Sequence, residues 1–285
     1  MVAVRLEGRL GNQLFQYGFI FATAKKLDTS FYLDKSIDNF LLPQYFEVEE
    51  DFLQTMDKKV FSIKGYKNIF KVYLKRAVYG GLKLFVFGNR TVTIRNETAV
   101  ADALKQIKNN VLYIGYFQAQ DYFENYQSEI RKLFSIKKEY VDAFGKIRAG
   151  LRKNARKAVI HIRRGDYVGL NISLPMSYYR NAIASISGED IQYIFISDDP
   201  DFIRNEFADL PDKYISTHNE IIDLQLLANA DFCILSNSSF SWWGAWLNTN
   251  PEKKVFAPEN WLGFNEKKEF PAGIGSNLDF NWIPV

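Results

Sequence analysis

Val159-Ile160-His161-Ile162-Arg163-Arg164-Gly165-Asp166-Tyr167-Val168 is the stretch on which the reading of the chain turns. Val159, Ile160 and Ile162 are β-branched and apolar, the signature of a buried strand. The run then stops abruptly in two arginines, a glycine and an aspartate. In an open α/β sheet, ligands sit at the carboxyl ends of strands. Two adjacent guanidiniums there repel each other, and a dianion would offset that repulsion. Arg also has the planar fork that matches phosphate oxygens. The pattern points to a diphosphate site; a solvated turn in which Asp166 pairs with either arginine is the plainer alternative. His161 reads either as part of the site or as a buried, singly hydrogen-bonded imidazole.

The composition narrows the classes. The chain has 285 residues, 47% of them hydrophobic, which is enough for one large or two modest cores and excludes a disordered chain. A net charge of +3, from 36 basic and 33 acidic residues, makes no case for nucleic-acid binding. Aromatic residues reach 16%, which suits both a core and platforms for sugar stacking. The single cysteine, Cys233, excludes an internal disulfide framework; it lies in an apolar run and reads as an inert buried thiol in a reducing compartment. With two histidines and no Cys/His cluster, a structural zinc site is not expected. Val2–Leu6 is strand-like rather than a signal peptide, and no apolar run is long enough to span a membrane. A cytoplasmic protein is expected, with peripheral contact at the inner membrane face left open.

Outward from the central stretch, strands alternate with helices, which implies parallel sheets. Residues 2–6 and 31–34 read as strands around a helix running to about Leu27, opened by Gly8-Arg9-Leu10-Gly11-Asn12-Gln13. Asn12 and Gln13 there are either caps or ligand contacts. Tyr66–Lys83 reads as amphipathic helix with solvated lysines, or as an acceptor- or membrane-facing surface; Val111–Gln118 reads as a strand and turn, and Tyr122–Phe134 as helix. Lys137–Lys157 holds a further helix and the hinge, dividing the chain into domains 1–150 and 151–285. Beyond it, helices are expected over Met176–Ser187, Asp201–Leu210 and Glu220–Ala230, and strands at 192–197, 214–216, 231–235 and, last, 254–258.

Three strand ends are polar in different ways: Arg163-Arg164, Asp198-Asp199 and Ser236-Asn237-Ser238-Ser239. Parallel strands share a carboxyl edge, so the three converge. The hydroxyl run precedes a helix, whose first N–H groups and dipole favour a phosphate. Caps explain the Ser run and Asp199-Pro200 equally well one at a time; together they favour a nucleotide diphosphate. Trp242, Trp243 and Trp246, at helical spacing, read as core.

Gly8–Tyr17, His161–Tyr167, Ile196–Asp199 and Ser236–Leu247 together resemble the motifs of the α-1,2-fucosyltransferases of glycosyltransferase family 11, in order and across nearly the whole chain. One departure is Arg9, where bacterial members often carry a second glycine; protein O-fucosyltransferases resemble this chain there. The resemblance implies an α/β, GT-B-like architecture: two Rossmann-like domains with parallel sheets facing a central cleft, residues 1–150 on the acceptor side and 151–285 holding the GDP-sugar. It implies inverting transfer of L-fucose from GDP-β-L-fucose to a galactose-containing glycan, in α-1,2 linkage, with GDP-fucose as donor substrate and neither metal nor cofactor. Arg163, Asp166 and His161 would then be the catalytic residues. Gly11, Asn12, Gln13, His161, Arg163, Arg164, Asp198, Asn237, Ser238, Ser239 and Phe240 would bind the donor, with Asp198 on the guanosine. Asp166 would either be the acceptor base or orient an arginine. Another nucleotide sugar or linkage, or a non-catalytic carbohydrate- or nucleotide-binding protein, are the alternatives.

Overall fold

Short apolar runs build two separate parallel sheets in the computed structural model, which describes residues 1–48, 69–186, 190–210 and 212–285. The chain divides into two compact units, Met1–Ile136 and Lys137–Val285. The division falls earlier than the expected residue 150. The reason is the helix Lys138–Ala149, which packs on the helix Glu220–Ala228; there Gln225 Nε2 donates to the Tyr140 carbonyl at 3.2 Å.

In the first unit, β1 (Val2–Arg5), β2 (Phe31–Asp34), β3 (Thr91–Thr93) and β4 (Val111–Ile114) form a parallel sheet in the order β2-β1-β4-β3. Leu10–Lys26 is helical and buried nearly all round, as a helix apolar on every face must be. Its Phe19 stacks on Phe117 and meets Tyr113 and Tyr122 edge-on, while Tyr17 packs between Phe31 and Phe40. The expected helix over Tyr66–Lys83 is found as Ile69–Phe87; residues 66–68 lie outside the described residues. Tyr122–Phe134 is less regular than expected: two 3-10 turns precede a helix of only Gln127–Leu133.

The second unit holds six parallel strands: β5 (Arg156–Ile162), β6 (Ile191–Ser197), β7 (Tyr214–Ile215), β8 (Phe232–Ile234), β9 (Lys254–Pro258) and β10 (Asn281–Ile283). Their order is β10-β9-β8-β5-β6-β7. From the other edge this is the dinucleotide-fold order 3-2-1-4-5-6, and its direction reverses between β5 and β8. That switch point is where such sheets open a crevice for ligands. Ala158, Ile160 and Ile162 pack on one face with Tyr178, Tyr179 and Phe195. On the other face, the helix Ser239–Leu247 carries Trp242 and Trp243, both without exposed surface, as the spacing predicted. Gly244 lets that helix press against its neighbour: a Cβ there would stand 2.5 Å from Leu227 Cβ. Cys233 is buried and its thiol is pushed up to about 12 by that burial, which makes it inert. Helices Met176–Ser185 and Pro200–Glu206 are shorter than expected, and Ser187 lies outside the described residues.

Candidate active site

Strand register, more than any single side chain, assembles the site. Ile162 on β5 pairs with Ser197 on β6, so the next residues along, Arg163 and Asp198, leave the sheet side by side. The Arg163 guanidinium splits its fork between two carboxylates: Nη1 meets Asp198 Oδ2 at 2.8 Å and Nη2 meets Asp166 Oδ1 at 2.5 Å. The Arg163 side chain is only 17% exposed, whereas Asp166 is 53% exposed. The guanidinium is therefore held from the protein side and capped from the solvent side by the looser partner. Tyr167 adds a ring 5.5 Å from the guanidinium carbon.

Arg164 is held differently. Its backbone N–H donates to Asp198 Oδ1 at 2.9 Å, its Nε donates to Asp199 Oδ2 at 3.1 Å, and its guanidinium lies 3.5 Å from the Phe202 ring centroid. Asp199 also caps the helix Pro200–Glu206 by accepting from the Phe202 N–H. Both oxygens of Asp198 are thus spent on the arginine pair. Asp198 thereby positions both arginines. Gly165 is what permits the arrangement: a Cβ there would sit 2.5 Å from Asp198 Oδ2.

Across the switch point, His161 Nδ1 and Ser236 Oγ are hydrogen-bonded at 2.7 Å, and the imidazole packs 5.4 Å from the Phe240 ring. Burial, with the Arg163 charge adding to it and Asp198 opposing, pushes the His161 pKa down to about 3. His161, expected among the catalytic residues, is a neutral buried support for the loop after β8. Asn237 Nδ2 donates to the Ile172 carbonyl at 2.9 Å, and its buried Oδ1 has no hydrogen-bond donor among the described residues. Ser241 Oγ donates back to the carbonyls of Ser236 and Ser238. Ser238 precedes the helix Ser239–Leu247 without a side-chain cap, and no acidic residue lies in its first turn. Ser239 and Phe240 occupy that first turn and are partly exposed, so the positive end of the helix opens at the switch point.

Gly11, Asn12 and Gln13 lie in the first unit, at the start of the helix Leu10–Lys26. Gln13 has no exposed surface: its Nε2 donates to the carbonyls of Gly8 and Asn39, and its Oε1 accepts from the Leu41 N–H. A side chain so enclosed ties the segments around Gly8 and 39–41 together. Gly11 is also buried within the helix. Asn12 is partly exposed, and its Oδ1 accepts from Gln118 Nε2 at 2.8 Å. Gly8, at φ +84°, leaves room for the Asn12 amide, which a Cβ would meet at 2.4 Å.

One residue was passed over in the sequence. Asp223 lies on the helix Glu220–Ala228. Its Oδ1 meets Ser216 Oγ at 2.5 Å, and Ser216 follows β7, with its N–H donating to the Phe195 carbonyl of β6. Burial raises the Asp223 pKa to about 7; the Ser216 hydrogen bond opposes and Glu220 adds to the rise. A carboxylate held this far from its ordinary state at the carboxyl edge of a sheet marks a functional candidate. The only signal in the sequence was an Asp facing a short Ser-containing strand.

The arginine clamp thus lies at a dinucleotide-fold switch point, beside the start of a helix that has no side-chain cap. Residues 1–283 match the model of glycosyl transferase family 11. The chain belongs to that family. Among curated relatives it is 30% identical to the O-antigen biosynthesis glycosyltransferase WbnK of Escherichia coli, over 96% of this chain and 99% of that one. It is 28% identical to an α-1,2-colitosyltransferase of Escherichia coli, over 95% of each. Among solved structures it is similar to the α-1,6-fucosyltransferase NodZ co-crystallised with GDP, at a TM-score of 0.54 and 13% identity, covering 86% of this chain and 91% of that one. That likeness speaks to the fold, which is α/β and GT-B-like. Family 11 membership makes the protein a glycosyltransferase.

Proposed function

We propose that the protein transfers L-fucose, with inversion, from GDP-β-L-fucose to a galactoside hydroxyl in α-1,2 linkage, within a surface glycan or its precursor. The observation that carries this reading is the Arg163 fork at the β5–β8 switch point, 2.8 Å from Asp198 and 2.5 Å from Asp166. As the sugar leaves, negative charge grows on the diphosphate, and a preorganised guanidinium stabilises it where it develops. Asp166, Asp198 and Asp199 hold the two arginines in place. The diphosphate takes the place of the exposed Asp166 on Nη2, while Asp198 keeps Nη1. The N–H groups opening the helix Ser239–Leu247 receive the remaining phosphate oxygens. With both cations supplied by the chain, the transfer needs neither divalent ion nor cofactor.

The other contacts follow from the chemistry. Guanine offers a ring N–H and an amino group, and Asp223, rather than Asp198, is the carboxylate available to accept them. The donorless Oδ1 of Asn237 suits a sugar or ribose hydroxyl. Asp166, once displaced, is a carboxylate next to the reacting centre and either orients Arg163 or takes the acceptor proton. A second donor is favoured by the similarity to an α-1,2-colitosyltransferase: colitose is fucose without its 3-hydroxyl. The test is GDP release from purified protein offered GDP-fucose and GDP-colitose with an array of galactosides, followed by linkage analysis. Transfer of fucose in α-1,2 linkage is expected. Exclusive use of GDP-colitose establishes the second reading, and release with neither sugar refutes both.

A further inference from the structure

The helix Ile69–Phe87 breaks the usual rule for a surface helix. Such helices turn an apolar stripe toward the core and a polar face outward. Here the residues that meet the core are few: Tyr79 and Phe87 join Ala3, Tyr32 and Leu112, and Lys75 Nζ donates to Asn39 Oδ1 at 2.8 Å. The wider apolar stripe faces out. Tyr73 is 65% exposed, Leu84 59% and Phe85 90%, with Leu74 and Val78 also exposed. At 3.6 residues per turn these, with Ala77 and Gly81, cover about 140° of the helix circumference. This helix supplies five of the eleven large exposed hydrophobic side chains among the described residues, a concentration that scattered surface leucines do not produce.

Charge decides what covers the stripe. The helix contains no Asp or Glu. Around the helix Arg76 and Lys83 lie at about 80–100° from Lys75, between Tyr79 and Phe87 and about 60–80° from the edge of the apolar stripe at Tyr73. An exposed apolar stripe on a helix whose charged residues are all cations suits a helix lying on an anionic bilayer, with its rings and leucines among the acyl chains and its cations reaching the headgroups. We infer that Ile69–Phe87 docks the protein on an anionic membrane surface, through Leu74, Val78, Leu84 and Phe85 with Arg76 and Lys83. The inference is independent of which sugar is transferred, since none of these residues belongs to the clamp.

Co-sedimentation of the full chain with phosphatidylcholine vesicles containing about 30% phosphatidylglycerol tests it. Binding is expected, with weak binding to pure phosphatidylcholine and release by high salt. Leu84→Ser with Phe85→Ser should reduce partitioning at least tenfold while turnover on a soluble galactoside stays unchanged. Arg76→Gln with Lys83→Gln, which leaves the apolar surface intact, should weaken binding about fivefold per charge and flatten its salt dependence. Absence of vesicle binding, or binding indifferent to both pairs of substitutions, overturns the inference. Concentration-dependent self-association lost on Leu84→Ser with Phe85→Ser, without vesicle binding, also overturns it and assigns the face to a second copy.

Discussion

Replacing Arg163 by lysine separates the fork from the charge. In the structure Nη1 and Nη2 serve different partners, at 2.8 Å and 2.5 Å. A lysine ammonium is a single point and can reach only one of those positions. The variant therefore keeps a positive charge near the diphosphate but loses one preorganised donor. Loss of one such donor costs about 10²–10³-fold in kcat, or roughly 3–4 kcal/mol. Ground-state binding of GDP should suffer less, about tenfold, because charge on the diphosphate is greatest in the transition state. The fold should barely notice: the pair with Asp166 is largely solvated, and the stability change should stay within about 1 kcal/mol. The assay is GDP release at saturating GDP-fucose, with GDP affinity by calorimetry and a urea midpoint on the same preparations. A folded Arg163→Lys protein with kcat within about fivefold of the parent refutes the reasoning, as does a loss of turnover no larger than the loss of GDP affinity.

Gly165→Ala puts a methyl 2.5 Å from Asp198 Oδ2 and should pull Asp198 off Arg163; kcat should fall about tenfold with little change in melting temperature, read by the same GDP assay and a thermal melt. His161 titrates at about 3 in the fold against an ordinary 6.5. Between those values the unfolded chain binds the extra proton, so stability present above 6.5 is lost as pH falls toward 3; urea midpoints should show this slope, and His161→Asn should flatten it. Asp223 has the opposite sign. Its folded pKa of about 7 exceeds the ordinary 3.8, so stability present below 3.8 is lost as pH rises through 7. Asp223→Asn should stabilise the protein above pH 7, by on the order of 2 kcal/mol, measured as a urea midpoint that no longer depends on pH in that window.

The sequence made the centre of each sheet legible and the edges poorly so. β5 is a run of buried branched residues, and it was read to within two residues at its start. β3 and β10, three residues each at sheet edges, carry too little periodicity to register, so β9 was taken as the last strand. The convergence of Arg163, Asp198 and Ser236 on one edge followed from parallel strands alone. What each does there did not, because it depends on register. Only the pairing of Ile162 with Ser197 shows that Asp198 bonds both arginines, and only packing shows that His161 is neutral. Gln13 meets a related limit: an amide at a helix start looks alike in sequence whether it faces a ligand or a loop.

Gln13 touches its neighbours only through main-chain atoms of Gly8, Asn39 and Leu41. A grip of that kind is blind to which side chains the gripped segment carries. Ser36 and Ile37 can therefore drift through substitution while the path of the segment stays put, whereas Asp38, which accepts from the Gly8 N–H, and Phe40, which stacks on Tyr17, are tied by their own side chains.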